Sequence, residues 1–138
     1  MSKLYSFVNS YLSDIQRGIQ TAHLVNEFWQ KYLDKCLIQH ESFIDWAYLQ
    51  PTIVILNGGN HADLGGLGVL FKSIRNVQYP FASYHEDDDS LNGVLTAVGI
   101  ILPEKFSDKL DRMDYVNGLI GDSFDYDIAC ILIGSHAA

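Results

Sequence analysis

The sequence has little cysteine and little positive charge, and it lacks long hydrophobic runs. Its two cysteines, Cys36 and Cys130, belong to no CxxC motif and have no nearby histidine at a metal-binding spacing, so zinc binding and redox chemistry have no support. We interpret both as small buried hydrophobic residues. The longest apolar run, Val94 to Pro103, contains Thr96 and is too short to cross a membrane, so it predicts a buried strand.

The amino-terminal residues lack the basic start, the apolar stretch and the cleavage site of a secretion signal, so we expect a cytoplasmic protein. Hydrophobic residues make up 48% of the chain and charged residues 19%, a balance that favours a globular fold over disorder. A length of 138 residues suits one domain with a sizeable core. We therefore expect residues 1–138 to form a single domain.

Positive charge is scarce, because Lys and Arg total 9 against 17 Asp and Glu, which gives a net charge of −8. Proteins that grip nucleic-acid phosphates usually present a basic face, since Lys and Arg displace condensed counterions. The cations of this chain are also scattered along the sequence. We expect no non-specific binding to nucleic acid.

Hydrophobic periodicity predicts that strands and helices alternate. A strand over Leu4–Leu12 precedes a helix from Asp14 to about Lys35, in which apolar residues recur every three or four positions: Ile15, Ile19, Ala22, Val25, Trp29, Leu33 and Cys36. A short helix over Glu41–Leu49 ends before Pro51, and a central strand follows over Thr52–Leu56.

The glycine-rich segment 58–66 follows that central strand and opens another helix, which Asn60 and Asp63 are placed to cap. Gly65, Gly66 and Gly68 weaken this helix by roughly 1 kcal/mol each relative to alanine, which indicates a close approach of its backbone to the sheet or to a ligand. The segment matches neither GxGxxG nor a P-loop, and the chain contains no GxSxG or HExxH motif. Turn requirements of the backbone explain most of the segment.

The remaining strands are predicted over Phe81–Tyr84, Val94–Leu102 and Tyr126–Ile133, and a helix over Glu104–Leu119 separates the last two. Together the elements predict an α/β fold: one three-layer domain with a mixed four- to five-stranded sheet and helices on both faces.

A second stripe on the first predicted helix is polar. Its members Gln16, Gln20, His23 and Glu27 recur at intervals of three or four residues, so they share one helix face. Two amides and a carboxylate around a histidine could line a cleft, although the same pattern is typical of a solvated helix face. His23 borders the apolar stripe, where it could be partly buried as a hydrogen-bonded boundary residue.

Between two predicted strands lies the acidic segment His85-Glu86-Asp87-Asp88-Asp89-Ser90. Four consecutive carboxylates are costly to bury together, so most of them must face water. A charged surface turn is the simplest interpretation. A divalent-cation site is a second, although the run lacks the glycine and final glutamate of a calcium loop. A carboxylate and hydroxyl acting as a catalytic pair beside the first helix is a third.

The polar stripe and the acidic segment together resemble motifs of the class II (archaeal and eukaryotic type) peptidyl-tRNA hydrolases. In that family a first strand leads into an A-A-Q-x-x-H-A-like helical segment, and Gln20-Thr21-Ala22-His23-Leu24 keeps the Q-x-x-H spacing. The family later carries D-x-G-[RK]-T and G-T-x-T-V-like segments. With Thr96 on the threonine of the G-T step, Glu86 falls on the motif aspartate and Ser90 on the motif threonine.

The order of elements over residues 4–102 also agrees with that family, which leaves residues 103–138 as an added helix and strand. The sequence departs from the family at its cations. One family lysine falls on Gln16, with Arg17 as a neighbour, and another falls at Leu56 or Asn57. Acidic residues 87–89 replace a stretch that includes glycine and a basic residue, so a site that used cations against an oxyanion is acidic here.

The resemblance implies hydrolysis of an acyl ester by water, at the acylated 3′ end of a tRNA or in a small acyl ester, without a metal or other cofactor. Glu86 would orient or deprotonate the water, Ser90, Thr96 and Gln20 would donate hydrogen bonds to the oxyanion, and His23 would orient a partner or hold the 3′ nucleotide. Two alternatives stay open: a non-catalytic binding module on the same fold and a divalent-metal-binding protein. Homo-oligomerisation also stays open, since 12% of the residues are aromatic.

Overall fold

A computed structural model describes residues 1–76, 78–86, 94–121, 123–135 and 137, with the backbone alone for residues 109 and 110. The strands are β1 (Lys3–Asn9), β2 (Thr52–Gly59), β3 (Phe81–His85) and β4 (Leu95–Leu102). The helices are α1 (Asp14–Tyr32), α2 (His40–Leu49), α3 (His61–Phe71), α4 (Lys109–Asn117) and α5 (Phe124–Gly134), with a 3-10 turn at Glu104–Phe106.

The four strands form one mixed sheet in the order β2-β1-β4-β3. β1 pairs in parallel with β2 and antiparallel with β4, and β3 pairs antiparallel with β4. β3 is therefore an edge strand of this sheet. The predicted α/β class with a mixed sheet is confirmed.

Alternating residues of β1 and β4 build a hydrophobic core on each face of the sheet. On the first face, Leu4, Val8 and Ile101 pack with buried residues of α1 and α2: Leu24, Phe28, Tyr32, Phe43 and Trp46. On the second face, strand residues pack with α3, the 3-10 turn and α5, through Leu64, Phe71, Phe106, Ile128 and Leu132. Helices cover both faces, as the sequence predicts.

Gly99 in β4 allows α1 to lie close against the sheet. A Cβ atom added at Gly99 would come within 2.7 Å of Leu24 Cδ2, 3.1 Å of Leu4 Cδ1 and 3.3 Å of Phe28 Cε2. Such distances are shorter than carbon–carbon contacts at their optimum of about 3.5–4.0 Å. The absence of a side chain at Gly99 thus allows the short distance between α1 and β4, the strand that carries Thr96.

The carboxy-terminal segment differs from its prediction. The strand expected over Tyr126–Ile133 is wrong, because Phe124–Gly134 is the helix α5, capped by the Ser123 side chain. Its apolar residues satisfy a helical period as well as a strand period, and the buried ones are Phe124, Ile128, Ala129 and Leu132. The helix expected over Glu104–Leu119 is instead the 3-10 turn followed by α4.

Other corrections concern boundaries and burial. β1 ends at Asn9 rather than Leu12, and α1 ends at Tyr32 rather than Lys35. Both cysteines are exposed, so the expected burial of Cys36 and Cys130 is wrong. Cys36 lies in the turn after α1, and Cys130 lies on the solvent side of α5.

The start of α3 matches its prediction, whereas its glycines do not approach the sheet, one of the two roles expected of them. The Asn60 side chain accepts from the Asp63 amide at 2.9 Å, and the Asp63 carboxylate accepts from the Asn60 amide at 3.0 Å. A Cβ atom at Gly65, Gly66 or Gly68 would meet nothing within 4 Å. The glycines therefore leave open space and do not mark a close approach to the sheet.

Within the described ranges, no helix combines the length and the apolar character that crossing a membrane requires.

Candidate functional site

Several strands and helices begin or end at one edge of the sheet, the edge formed by the carboxyl ends of β1, β2 and β3. β1 ends there at Asn9, β2 at Gly59 and β3 at His85, while β4 begins there at Leu95. α1 and α3 also begin at this edge, directly after β1 and β2, and the Ser10 amide donates to the Gly59 carbonyl at 2.8 Å. Open α/β sheets commonly bind ligands outside the carboxyl ends of their parallel strands.

A β-bulge in β4 directs Thr96 towards α1. Tyr84 of β3 pairs with Ala97 and His85 pairs with Leu95, so Thr96 is an extra residue on β4. In a bulge of this kind, two consecutive side chains point towards the same face. Ala97 packs in the core beneath α1, and the Thr96 hydroxyl reaches Gln20 of the same helix. An unbulged strand would send Thr96 to the opposite face, with Val98.

The central contact of this edge is a chain of three polar side chains from three elements. The Thr96 hydroxyl donates to Gln20 Oε1 at 3.0 Å, and Gln20 Nε2 donates to Glu86 Oε2 at 2.9 Å. Thr96 is 1% exposed and Gln20 is 7% exposed, whereas Glu86 is half-buried. The buried part of the chain thus ends in a carboxylate that water can reach.

The direction of these hydrogen bonds follows from the chemistry of the groups. An ionised carboxylate only accepts, so the Gln20 amide must turn its NH2 group towards Glu86 and its oxygen towards Thr96. The Thr96 hydroxyl also lies 3.3 Å from the Tyr84 carbonyl, a second acceptor for its single proton. The hydroxyl proton of Thr96 is therefore directed towards Gln20 Oε1 or the Tyr84 carbonyl. The side-chain amide of Gln20 has one orientation that suits both Thr96 and Glu86.

A second buried polar pair holds α1 one residue further along. Ser6 of β1 and Thr21 of α1 approach to 2.8 Å between their hydroxyl oxygens, and both residues are buried. Gln20 and Thr21 are thus the first residues of α1 that turn towards the sheet. The prediction that the apolar stripe of α1 faces the sheet is partly wrong, since Ile15 is 78% exposed and Ile19 is 49% exposed.

The start of β4 is fixed by two residues that sequence reasoning did not select. The Leu95 amide donates to His61 Nδ1 at 3.0 Å, and the Leu95 carbonyl accepts from Asn9 Nδ2 at 3.4 Å. Because Nδ1 accepts, the neutral His61 ring carries its proton on Nε2. A histidine in the first turn of α3 and an asparagine at the end of β1 are local signals, but only the sheet topology places both beside Thr96.

His23 lies on the exposed side of α1, three residues after Gln20. Its ring stacks on Tyr84 of β3, with 4.8 Å between ring centroids and 12° between ring planes. His23 is exposed, so the partial burial expected for it is wrong. The pair forms a flat aromatic surface between α1, the helix that carries Gln20, and β3, the strand that Glu86 follows.

Two residues near the start of α1 have structural partners. Gln16, on which the family lysine falls, forms a capping box with Ser13, through hydrogen bonds of 2.9 and 3.3 Å. Arg17 donates to the Ser10 carbonyl at 3.2 Å and lies 3.5 Å from Asp14. Both side chains therefore stabilise the turn between β1 and α1.

The structure accordingly brings together Gln20, Glu86 and Thr96, with His23 beside them through Tyr84. Ser90 lies outside the described residues, as do the three aspartates at 87–89. Over the described part of the chain, no three His, Cys, Asp or Glu residues are grouped as metal ligands.

No protein-family model matches the chain, and no curated protein matches it.

Proposed function

We propose that this protein is a divergent class II peptidyl-tRNA hydrolase-like enzyme, which hydrolyses an acyl ester with water. The observation that supports this proposal is the hydrogen bond between the buried Gln20 amide and the half-buried Glu86 carboxylate. The two residues are 66 positions apart in the sequence, and both fall on the motifs that carry the family resemblance.

Glu86 is the general base of the proposed reaction. Gln20 holds Oε2, and Oε1 faces the substrate water, from which it takes a proton as the water oxygen attacks the ester carbonyl. The resulting tetrahedral oxyanion collapses, the bond to the 3′ oxygen breaks, and the proton returns to that oxygen as the alcohol leaves. The products are a free 3′ hydroxyl and a carboxylic acid, which releases its proton to water and becomes the acyl carboxylate.

Thr96 and Gln20 act in this proposal as positioning residues. The Thr96 hydroxyl donates to Gln20 Oε1 and the Gln20 NH2 group donates to Glu86, which is a different use from the donation to the oxyanion that the family resemblance implies. The Nε2–H group of His61 is a donor that the described residues supply at this sheet edge instead. Preorganised donors of this kind stabilise charge that develops in the transition state.

The exposed His23 ring is the contact proposed for the 3′ nucleotide. Bases of single-stranded RNA commonly stack on aromatic side chains, and the stack on Tyr84 fixes the plane of the His23 ring. Such a contact does not depend on a basic surface, so it is compatible with the net charge of −8.

The test is release of N-acetyl-aminoacyl groups from tRNA by the wild-type protein and by Glu86→Gln. The amide keeps the size of the side chain but cannot accept the proton, so we expect a rate at least about tenfold lower, which corresponds to about 1.4 kcal/mol in the barrier. Glu41→Gln, an exposed site at the start of α2, is the matched control and should keep the wild-type rate. Equal rates for wild type and Glu86→Gln would refute the role of Glu86.

A non-catalytic binding module on the same fold is a second candidate. It is favoured because the three polar residues have no cationic partner. Within the described residues, no Lys or Arg forms a hydrogen bond or an ion pair with Gln20, Glu86 or Thr96. Failure of the wild-type protein to cleave the substrate, with retained binding of it, would support this candidate.

A further inference from the structure

A cavity of about 320 Å³ lies at the other end of α1, between that helix, α3 and the edge strand β3. Glu27 and Lys31 of α1 line it, and they are one and two helical turns beyond His23 in the sequence. Gln20 and Lys31 are eleven residues apart, or roughly 16 Å along a helix. The cavity is therefore distinct from the Gln20–Glu86–Thr96 site.

The cavity combines an apolar floor with charged groups at its rim. Phe81 of β3 is the partly exposed apolar residue of the lining, whereas Phe71 of α3 and Val98 of β4 are almost fully buried. Lys72 adds a second ammonium group, whose positive charge acts on Lys31. Its volume is in the range of pockets that hold small molecules, which are typically about 300–1,000 Å³.

Lys31 is held in place by the edge of the sheet. Its Nζ atom donates to the Phe81 carbonyl at 3.0 Å and lies 3.4 Å from the centroid of the Phe81 ring. Tyr32 bonds to the same backbone, since its hydroxyl accepts from the Phe81 amide at 2.9 Å. An ammonium group has three protons, so Lys31 retains donors for a ligand.

We propose that this cavity binds a small organic carboxylate, whose charge is neutralised by Lys31 and Lys72 and whose apolar part packs against Phe81. Two ammonium groups and the Glu27 carboxylate leave the lining with one net positive charge when all three are ionised. That balance matches a singly charged anion better than a phosphate dianion. The proposal is independent of the ester-hydrolase function.

The protonation of Lys31 is consistent with such a ligand. Burial, followed by the positive charge of Lys72, lowers the pKa of Lys31 to about 8. The charged groups that line the cavity with Lys31 are Glu27 on its own helix and Lys72 after α3, while β3 contributes Phe81, Ala82 and Ser83. A bound anion favours the protonated amine, so affinity should decrease as the pH rises through about 8.

The test is an NMR titration of the full chain with hexanoate at neutral pH. We expect saturable shifts of the backbone amides of Gly68, Ala82 and Ser83, with a dissociation constant of about 1 mM for a ligand of this size. Hexanol and hexylammonium, which keep the alkyl part but lack the negative charge, should bind at least about tenfold more weakly. No saturable shift with hexanoate, equal binding of hexanol, or tighter binding of inorganic phosphate would overturn the proposal.

Three variants locate the site, and all three are compatible with the fold. Gly68→Leu places a side chain in the lining, where a Cβ atom meets nothing within 4 Å, and should abolish binding. Gly66→Leu makes the same change at an exposed position of α3 outside the lining and should bind like the wild type. Lys72→Met removes an exposed ammonium group and should weaken binding. Unchanged affinity in Gly68→Leu or in Lys72→Met would place the ligand elsewhere.

Discussion

The two halves of α1 pack against the same sheet in different ways. In the first half, residues 14–23, the groups that reach the sheet are polar: Gln20 bonds to Thr96 and Glu86, and Thr21 bonds to Ser6. In the second half, residues 24–32, Leu24, Phe28 and Tyr32 are fully buried in an aromatic core. The second half of α1 therefore contributes mainly to stability, because apolar burial dominates folding. The first half mainly fixes the orientation of its polar side chains through buried hydrogen bonds.

The largest effect is expected from breaking the apolar half. Phe28→Ala removes a fully buried ring that lies 6.2 Å from the Phe43 ring, centroid to centroid, and should lower the free energy of unfolding by about 3–5 kcal/mol. Ile15→Ala, in the polar half, removes an exposed side chain and should change it by no more than about 0.5 kcal/mol. Urea denaturation measures both values, and similar losses would erase the contrast between the halves.

A smaller loss is expected in the polar half from Thr96→Val. The valine keeps the shape of the side chain but leaves the buried Gln20 oxygen without its donor, which should cost about 1–3 kcal/mol of stability. Thr96→Ser keeps the hydroxyl and should retain more of the stability and of the proposed hydrolytic rate than Thr96→Val. If the two variants are equally stable and equally active, the Thr96 hydroxyl does not position Gln20.

The smallest effect concerns the pH dependence of the apolar half, where Lys31 is half-buried. Its folded pKa of about 8 lies below the ordinary value of 10.5, so the unfolded state binds more protons between these two values. Stability should therefore rise from about pH 8 to pH 10, and solvent screening keeps the increase small.

Lys31→Met should abolish that rise, which chemical denaturation at a series of pH values would show. The comparison stays below pH 10, because burial raises the pKa of Tyr32 to about 12 and its ionisation in the unfolded state lowers stability above that pH. An identical slope in wild type and Lys31→Met would exclude Lys31 as the cause.

Sequence patterns predict the layers of this fold better than the faces of its helices. The α/β class, β2 and the Asn60–Asp63 cap follow from local signals, namely a β-branched run and a capping pair. The apolar stripe of α1 misleads, because Gln20 and Thr21 find buried polar partners in distant strands and thus replace Ile15 and Ile19 at the sheet. In α5, an apolar run is compatible with both periods, and only packing decides for the helix.

In the candidate site, motif spacing in the sequence identifies some residues, whereas other contacts depend on how the strands pair. Its residues Gln20, His23 and Glu86 are recognisable from motif spacing, which does not depend on the details of packing. The inward direction of Thr96 depends on a bulge, defined by which residues of β3 and β4 pair, so the sequence of β4 alone does not reveal it. The support of Leu95 by Asn9 and His61 likewise depends on the order of the strands.

We propose that a buried amide positions the Glu86 carboxylate for attack of water on an acyl ester. Single-turnover cleavage of N-acetyl-aminoacyl-tRNA, compared between Glu86→Gln and the remote Glu41→Gln variant, tests it most directly. We expect the wild-type cleavage rate with Glu41→Gln and a cleavage rate at least about tenfold lower with Glu86→Gln. Equal cleavage by both variants would contradict it.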